Sequence, residues 1–397
     1  MSAATLPAAA WRSDPALLRL FAVLGGAEGR TLVVGGAVRD TLAGVPVTDV
    51  DLATQILPDA VIRRLTDAGI KAVPTGLAHG TITAVADGQV FEVTTLRRDV
   101  ATDGRRATVA FTENWAEDAA RRDFTINALY ANPITGEILD PTGGVDDLGV
   151  RRLCFIGDAA ARIDEDHLRI LRYFRFHARF GGGGGADAET LGVIASKAAS
   201  LRALSRERIT DELLKLLALN DPVPALRLML GTGLFAHMLP EVDAGAIEAV
   251  AILIAAEQKA AITADPVRHL IALLPSHEGR ALLVAGRLKL SKRTGKRIGV
   301  ARSNVMERAP RAIAYRLGVE AAIDRALLAG DAGATTAALS GWSVPHLPIS
   351  GGDIVARGVA SGPEVARILK AIEARWVAED FPDAERVMAM LGDLTRV

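Results

Sequence analysis

Cysteine is nearly missing from this sequence: Cys154 is the only one. A lone thiol excludes an intramolecular disulfide and any metal cluster built on cysteines. A cytoplasmic location is the expectation that follows. Long apolar runs are missing too. No stretch approaches the roughly 20 residues that cross a bilayer as a helix, so no membrane partner is expected. The Ala-rich start, Met1 to Trp11, lacks a basic opening and is soon interrupted by Arg12 and Asp14, which argues against a secretory signal. Net charge is almost absent, at -1 from 46 Lys and Arg against 47 Asp and Glu. That argues against a strong polyanion binder over the whole surface, although a local basic patch is compatible with it. No obligatory protein partner is evident, and no internal repeat recurs at a fixed period.

The chain has 397 residues, half of them apolar, which suits a globular protein of two to four units. Strand signals come early. Thr31–Val34 is a short β-branched run that ends in Gly35-Gly36. Val50–Leu52, Thr81–Val85 and Val90–Thr95 have the same character, with a turn at Ala86–Gly88. Helices are predicted at Ala37–Ala43 and Pro58–Ala68, where Gly44 and Gly69 occupy the positions of C-terminal capping glycines. After about Val150 strand signals fade. Leu168, Leu171 and Phe174, then Leu213, Leu214, Leu216 and Leu217, recur at helical spacing. Gly181–Gly185 is a five-glycine run, predicted to be a flexible connection. Pro222 with Pro224, and Ser340–Gly352, mark two further breaks.

The chemistry begins with Gly35-Gly36, twelve residues, then Asp49-Val50-Asp51. Carboxylates at i and i+2 on a strand share a face. They repel unless a cation lies between them, and Mg²⁺ suits because it takes hard oxygens and keeps places for phosphate. The Gly-Gly turn lets a triphosphate approach the backbone, the following helix offers N–H groups, and Arg39 in its first turn adds a cation. This arrangement suits in-line nucleotidyl transfer with two metals. In Arg121–Leu129, Phe124, Ile126 and Leu129 are predicted core anchors. Arg122 is then free to meet a phosphate, and Asp123 and Asn127 to meet ribose hydroxyls. A helix N-terminus capped by Asp123 fits the same residues.

A third cluster runs from Glu165 to Phe176. Arg169, Arg172 and Arg175 recur every three residues, Asp166 joins that face, and Glu165 pairs with Arg169 at i, i+4. A carboxylate acceptor beside a guanidinium donor matches the amino-plus-acceptor edge of cytosine and adenine, which uracil and guanine lack. An ordinary salt-bridged helix face gives the same pattern.

In this order the clusters resemble the class II tRNA nucleotidyltransferase and bacterial poly(A) polymerase family. Leu32–Asp40 with Asp49 and Asp51 is similar to its first motif, and Arg121–Leu129 to its second. Asp140–Gly144 through Asp147-Leu148 is similar to the third, Glu165–Phe176 to the fourth, and Glu207–Leu213 to the fifth, a helix-stabilising element. The resemblance covers about the first 215 residues. It implies an α+β architecture: a small nucleotidyltransferase-type α/β head at 1–150, then an all-α neck at 151–220, body at 221–330 and tail at 331–397.

The resemblance also implies roles. Asp49 and Asp51 bind Mg²⁺, with Glu92 as a third active-site carboxylate. Gly35, Gly36, Arg39 and Arg122 contact the triphosphate region. Asp166 and Arg169, with Glu165 beside them, read the base, and Arg172 and Arg175 support the nucleotide. The substrates implied are CTP, ATP and the tRNA 3′ end, with CMP and AMP added and pyrophosphate released. Thr95–Asp99 through Asp103–Arg106 is similar to the family's flexible loop, which helps the switch from CTP to ATP and argues against a CC-only enzyme. His79 is a turn residue. Between Arg287 and Arg316 ten Lys and Arg face one acid, Glu307. Lys292, Arg293, Lys296 and Arg297 in this stretch are predicted to share a helix face that meets tRNA phosphates. No His-Asp dipeptide occurs, so the phosphohydrolase appended in some relatives is not expected. The runner-up is poly(A) or A-only addition, against which Ala78–Val85 looks like the CCA-adding type. A silent RNA-binding protein is the third reading, and the intact aspartate pair argues against it.

Overall fold

Thr31–Val34 forms β1, and its β-branched residues sit inside a seven-stranded mixed sheet, next to the central strand. The computed structural model describes residues 5–102, 107–181, 186–303, 309–330 and 332–395. The remaining strands are β2 (Asp51–Thr54), β3 (Lys71–Gly76), β4 (Thr81–Ala86), β5 (Gln89–Thr95), β6 (Arg97–Thr102), β7 (Ala107–Phe111), β8 (Tyr130–Ala131) and β9 (Ile138–Leu139). The sheet order is β3-β4-β5-β2-β1-β8-β9, and β6 with β7 forms a separate hairpin. Only β2 and β5 run parallel; the other pairs are antiparallel. Alternation explains β4: Ile82, Ala84 and Ala86 are buried while Thr81, Thr83 and Val85 are partly open. The β4–β5 turn has positive φ at both Asp87 and Gly88, the two-residue hairpin geometry that matches strand twist.

The predicted helices appear as α2 (Gly36–Leu42) and α3 (Pro58–Asp67), after α1 (Pro15–Val23). Gly44 and Gly69 have φ of +67° and +69°. Val45 N–H and Ile70 N–H reach back to Asp40 and Leu65 carbonyls at 2.9 and 2.8 Å, closing both helices as the capping glycines predict. Leu17, Leu20 and Leu24, Val61 and Leu65, and Val33, Leu52, Ile82 and Val93 fill one core.

Five strands escaped the sequence: β3, β6, β7, β8 and β9. β3 contains Pro74 and lies at the sheet edge, where a missing N–H is tolerated. β8 and β9 have two residues each, too few to carry a period. The predicted flexible loop Thr95–Arg106 is corrected over Arg97–Thr102, which forms β6 and pairs with β7 just after the loop; its Asp103–Arg106 part lies outside the described residues, as do residues 182–185 of the glycine run.

Helices then dominate. They are α4 (Trp115–Ala120), α5 (Gly144–Gly149), α6 (Ala159–Glu165), α7 (Arg169–Phe180), α8 (Ala188–Lys197), α9 (Arg206–Leu217), α10 (Val223–Gly231) and α11 (Phe235–Met238). The chain divides into compact units Met1–Pro240 and Glu241–Val397. This cut falls inside the 221–330 segment, with α10 and α11 on the first side. Among the described residues no helix is long and apolar enough to cross a membrane.

The second unit is helical: α12 (Ala244–Lys259), α13 (Pro266–Leu273), α14 (Glu278–Arg287), α15 (Lys292–Arg302), α16 (Pro310–Leu317), α17 (Val319–Ala329), α18 (Ala332–Leu339), α19 (Gly351–Val355), α20 (Pro363–Ala378) and α21 (Ala384–Thr395). A buried ion network joins four of them. Arg268 on α13 donates to Asp324 on α17 at 2.7 Å and to Glu257 on α12 at 2.5 Å, and His269 Nε2 lies 2.8 Å from Glu257. Arg297 on α15 completes it. Its Nε and Nη2 grip Asp324 at 2.7 and 2.9 Å and its Nη1 reaches Asp265 at 3.0 Å.

That network corrects the predicted basic face. Lys292, Arg293 and Lys296 are exposed, but the Arg297 side chain is only 11% exposed. At 100° per residue Arg297 falls on the rim facing α17, and a forked guanidinium is drawn to the buried carboxylate there.

Candidate active site

The turn after β1 sets the site. Gly35 has φ +68° and ψ -114°, a conformation open to glycine and costly for a residue with a Cβ. Its N–H donates to Leu129 O at 2.8 Å, which ties the turn to the Arg121–Leu129 segment. Phe124, Ile126 and Leu129 are buried as predicted. The expected helix there is a short 3-10 turn, Thr125–Asn127, without a side-chain cap. Asp123 is therefore not a helix cap.

Gly35, Gly36, Arg39, Asp51, Arg122, Asp123, Asn127, Asp166, Arg169 and Arg172 all line one cleft of about 480 Å³. Seven arginines and three aspartates line it, a positive balance that attracts a polyphosphate. Arg97, Arg121, Phe176 and Arg208 also line it, and the sequence reading missed all four. Arg97 falls in the predicted loop and Arg208 in a helix-stabilising motif, while Arg121 and Phe176 stand at the ends of their motifs with no role of their own.

Asp51 opens β2, opposite Val34. Asp49 lies before the strand and is exposed, which corrects the picture of both aspartates on one strand. Leu52 pairs with Val93, so Asp51 and exposed Glu92 are the preceding residues on neighbouring strands. Burial, then the charges of Glu92 and Asp49, push the Asp51 carboxyl up to about 6. Glu92 and Asp49 are thus near enough for their charges to act on Asp51. Among the described residues no three or more His, Cys, Asp or Glu form a ready-made metal cage.

The arginines are held in different ways. Arg122 donates to Asp118 Oδ2 from Nε at 3.1 Å and Nη2 at 3.0 Å, and Tyr130 Oη donates to the same oxygen at 2.7 Å. Asp118 is 2% exposed. Burial raises its carboxyl, but Arg122 and Arg121 together hold it below the ordinary carboxylate range. Arg39 is a hub. It donates to Asp40 at 2.8 Å from Nε and to the Asn127 carbonyl oxygen. Its guanidinium also lies 5.0 and 4.5 Å from the Phe176 and Phe180 ring centres. Arg179 holds Asp40 from α7 at 2.9 Å.

Asp123 accepts from Phe124 N at 2.9 Å, Asn127 Nδ2 at 3.0 Å and both Nε and Nη2 of Arg172 at 2.6 Å. All four carboxylate positions are used. Asp123 is thus a brace for Arg172 and not a ribose acceptor. Glu165 and Arg175 do not line the cleft. Glu165 holds Arg169 at 2.6 Å, and Arg175 turns to Glu212 on α9 at 2.7 Å. The Glu165–Arg169 pair was predicted, although a break at Asp166–Leu168 separates α6 from α7. Leu168, Leu171 and Phe174 are buried as expected. His79 ends a short turn before Gly80, as predicted.

Comparison with known proteins identifies the family. Residues 31–154 match the Poly A polymerase head domain family, and residues 187–245 match the probable RNA and SrmB-binding site of polymerase A. The chain is 35% identical over 363 residues to the Mus musculus CCA tRNA nucleotidyltransferase 1, mitochondrial, covering 87% of this chain and 82% of that protein. It is 41% identical over 207 residues to the CCA-adding enzyme of Geobacillus kaustophilus, covering 52% of this chain and 50% of that one. Its fold is similar to the Bacillus stearothermophilus CCA-adding enzyme in complex with CTP, with TM-score 0.72, 27% identity and coverage of 96% and 98%.

Proposed function

The chain belongs to the tRNA nucleotidyltransferase and poly(A) polymerase family, and on that premise we propose that it adds CMP, CMP and AMP in turn to the tRNA 3′ end. The observation that carries this reading is a single cleft lined both by the Gly35-Gly36 turn with Asp51 and by Asp166 with Arg169. The first group suits a triphosphate and the second the edge of a base. The 3′-hydroxyl oxygen attacks the α-phosphorus, a new phosphodiester forms, and pyrophosphate leaves. Asp49 and Asp51, with Glu92 nearby, would hold Mg²⁺, and the ion would supply Lewis-acid activation of the attacking hydroxyl and charge neutralisation for the leaving pyrophosphate. Gly36 and Arg122 take the triphosphate, and Arg39 fixes the turn from behind. Asp166 accepts from the exocyclic amino group, Arg169 donates to the ring nitrogen, and Arg172, braced by Asp123, supports the nucleotide. Asn127, beside Arg39, faces the ribose.

The head, neck, body and tail division at 1–150, 151–220, 221–330 and 331–397 is part of this proposal. So is tRNA phosphate contact by Lys292, Arg293 and Lys296, and so is a cytoplasmic site of action.

The test offers purified protein tRNAs ending at the discriminator base, at C and at CC, with CTP, ATP or both. Three added nucleotides support the proposal. Long A tails or A-only addition favour the runner-up reading. No product with Mg²⁺ present supports a silent RNA-binding protein.

Asp51 also gives a pH test. Its folded pKa is raised above the ordinary 3.8 to about 6, so the folded state holds this proton more tightly than the unfolded chain. Stability from that proton is present at low pH and is lost as pH rises from about 4 through about 6. Above that window the ionised cluster strains the fold until a cation arrives. Mg²⁺ should therefore raise the thermal midpoint more at pH 7.5 than at pH 5. Equal Mg²⁺-induced shifts at both pH values would contradict the carboxylate cluster.

A further inference from the structure

We propose that Arg208, on the helix behind the cleft, is a positioning residue that sets base selectivity by fixing the carboxylate of Asp166. This rests on the reading of Asp166 as the acceptor for the base's amino group. Arg208 Nη2 straddles the carboxylate at 3.0 Å from Oδ1 and 2.9 Å from Oδ2. Leu168 N–H donates to Oδ1 at 3.1 Å. A carboxylate has about four acceptor positions. These contacts take both on Oδ1 and one on Oδ2. One position on Oδ2 remains, and its direction is set by the other three. A base offering an N–H donor there is accepted; a base offering a carbonyl oxygen meets a fixed negative charge. Cytosine and adenine pass this test, and uracil and guanine do not.

Two features show that the pair is not there for stability. Its side chains are 45% and 35% exposed, and ion pairs this open add little to folding. Arg208 is also in the first turn of α9, three residues after the Ser205 cap, which accepts its N–H at 3.4 Å. A helix favours Glu or Gln there, to close a capping box, and disfavours a cation near its positive end. The helix thus carries an arginine against its own preference, and that arginine lines the cleft.

The experiment measures kcat and KM for CTP, ATP, UTP and GTP on tRNA primers. It compares the parent chain with Arg208→Ala, Arg208→Gln, Arg208→Lys and Asp166→Asn, each with a thermal midpoint. Arg208→Ala should cut the CTP over UTP preference by about tenfold or more, raise KM for CTP, and leave the midpoint nearly unchanged. Arg208→Lys should restore part of the preference because it returns the charge without the planar fork. If Arg208→Ala misfolds, Arg208→Gln gives the same readout, since it keeps most of the length and loses the charge. Relaxed selectivity in Asp166→Asn with full selectivity in the Arg208 variants overturns the proposal and leaves the base-reading role standing. Full selectivity in Asp166→Asn removes both. Activity that falls only in step with the midpoint assigns Arg208 to structure alone and also overturns the proposal.

Discussion

Asp51→Asn should lower nucleotide incorporation by on the order of a thousandfold or more while raising the thermal midpoint of the metal-free protein. The activity loss follows from removing one charge of a metal-holding pair, which carries several kcal/mol of transition-state stabilisation. The stability gain follows from the same carboxylate's surroundings. Burial and the charges of Glu92 and Asp49 push its pKa up to about 6. At pH 7.5 it is ionised in a place that disfavours the charge, and an amide of the same shape relieves that cost. Opposite signs for activity and stability separate a functional group from a structural one. Single-turnover incorporation and a melting curve on the same preparation measure both, with tRNA binding as a control that should hold. Turnover retained within about tenfold of the parent would remove Asp51 from the chemistry.

The second expected result concerns a residue with no motif to announce it. Asp118→Ala should destabilise the protein by about 3–5 kcal/mol. The substitution strips the half-buried Arg122 of both its bonds to Asp118 Oδ2 and leaves the Tyr130 hydroxyl without its 2.7 Å acceptor. An unpaired cation and an unpaired hydroxyl are each costly away from water. The double variant Asp118→Ala/Arg122→Ala should be less destabilised than Asp118→Ala alone, because it removes the stranded charge as well. Urea unfolding of both variants measures the difference. A cost below about 1 kcal/mol for Asp118→Ala would mean that solvent reaches Arg122 freely.

Much of the site was legible because it depends on local chemistry. A strand that ends in Gly35-Gly36 permits a backbone shape that few other residues allow, so the turn could be placed from two letters. The Asp49–Asp51 spacing marked the place where carboxylates gather, although the strand begins one residue too late to carry Asp49. The apolar residues of Arg121–Leu129 and of Glu165–Phe176 fell where their spacing put them. Asp123, Arg175 and Arg297 were harder: each is a charged residue on a plausible face, and each is gripped by an oppositely charged partner distant in the sequence.

The sequence alone determined the strand–turn–helix at Gly35, the Asp49–Asp51 spacing, the order of strand-rich and helical regions, and the core positions, because each follows from neighbours within a few residues. The tertiary structure decided which charges serve a ligand and which serve each other. Asp40 meets Arg179 across 139 positions, Arg172 meets Asp123 across 49, and Arg208 meets Asp166 across 42. No periodicity along the chain encodes such pairs. For the buried carboxylates Asp40 and Asp123 the cost of an unpaired charge draws in the guanidinium that the fold brings near, whereas the open Arg208–Asp166 pair follows from the placement of two helices alone.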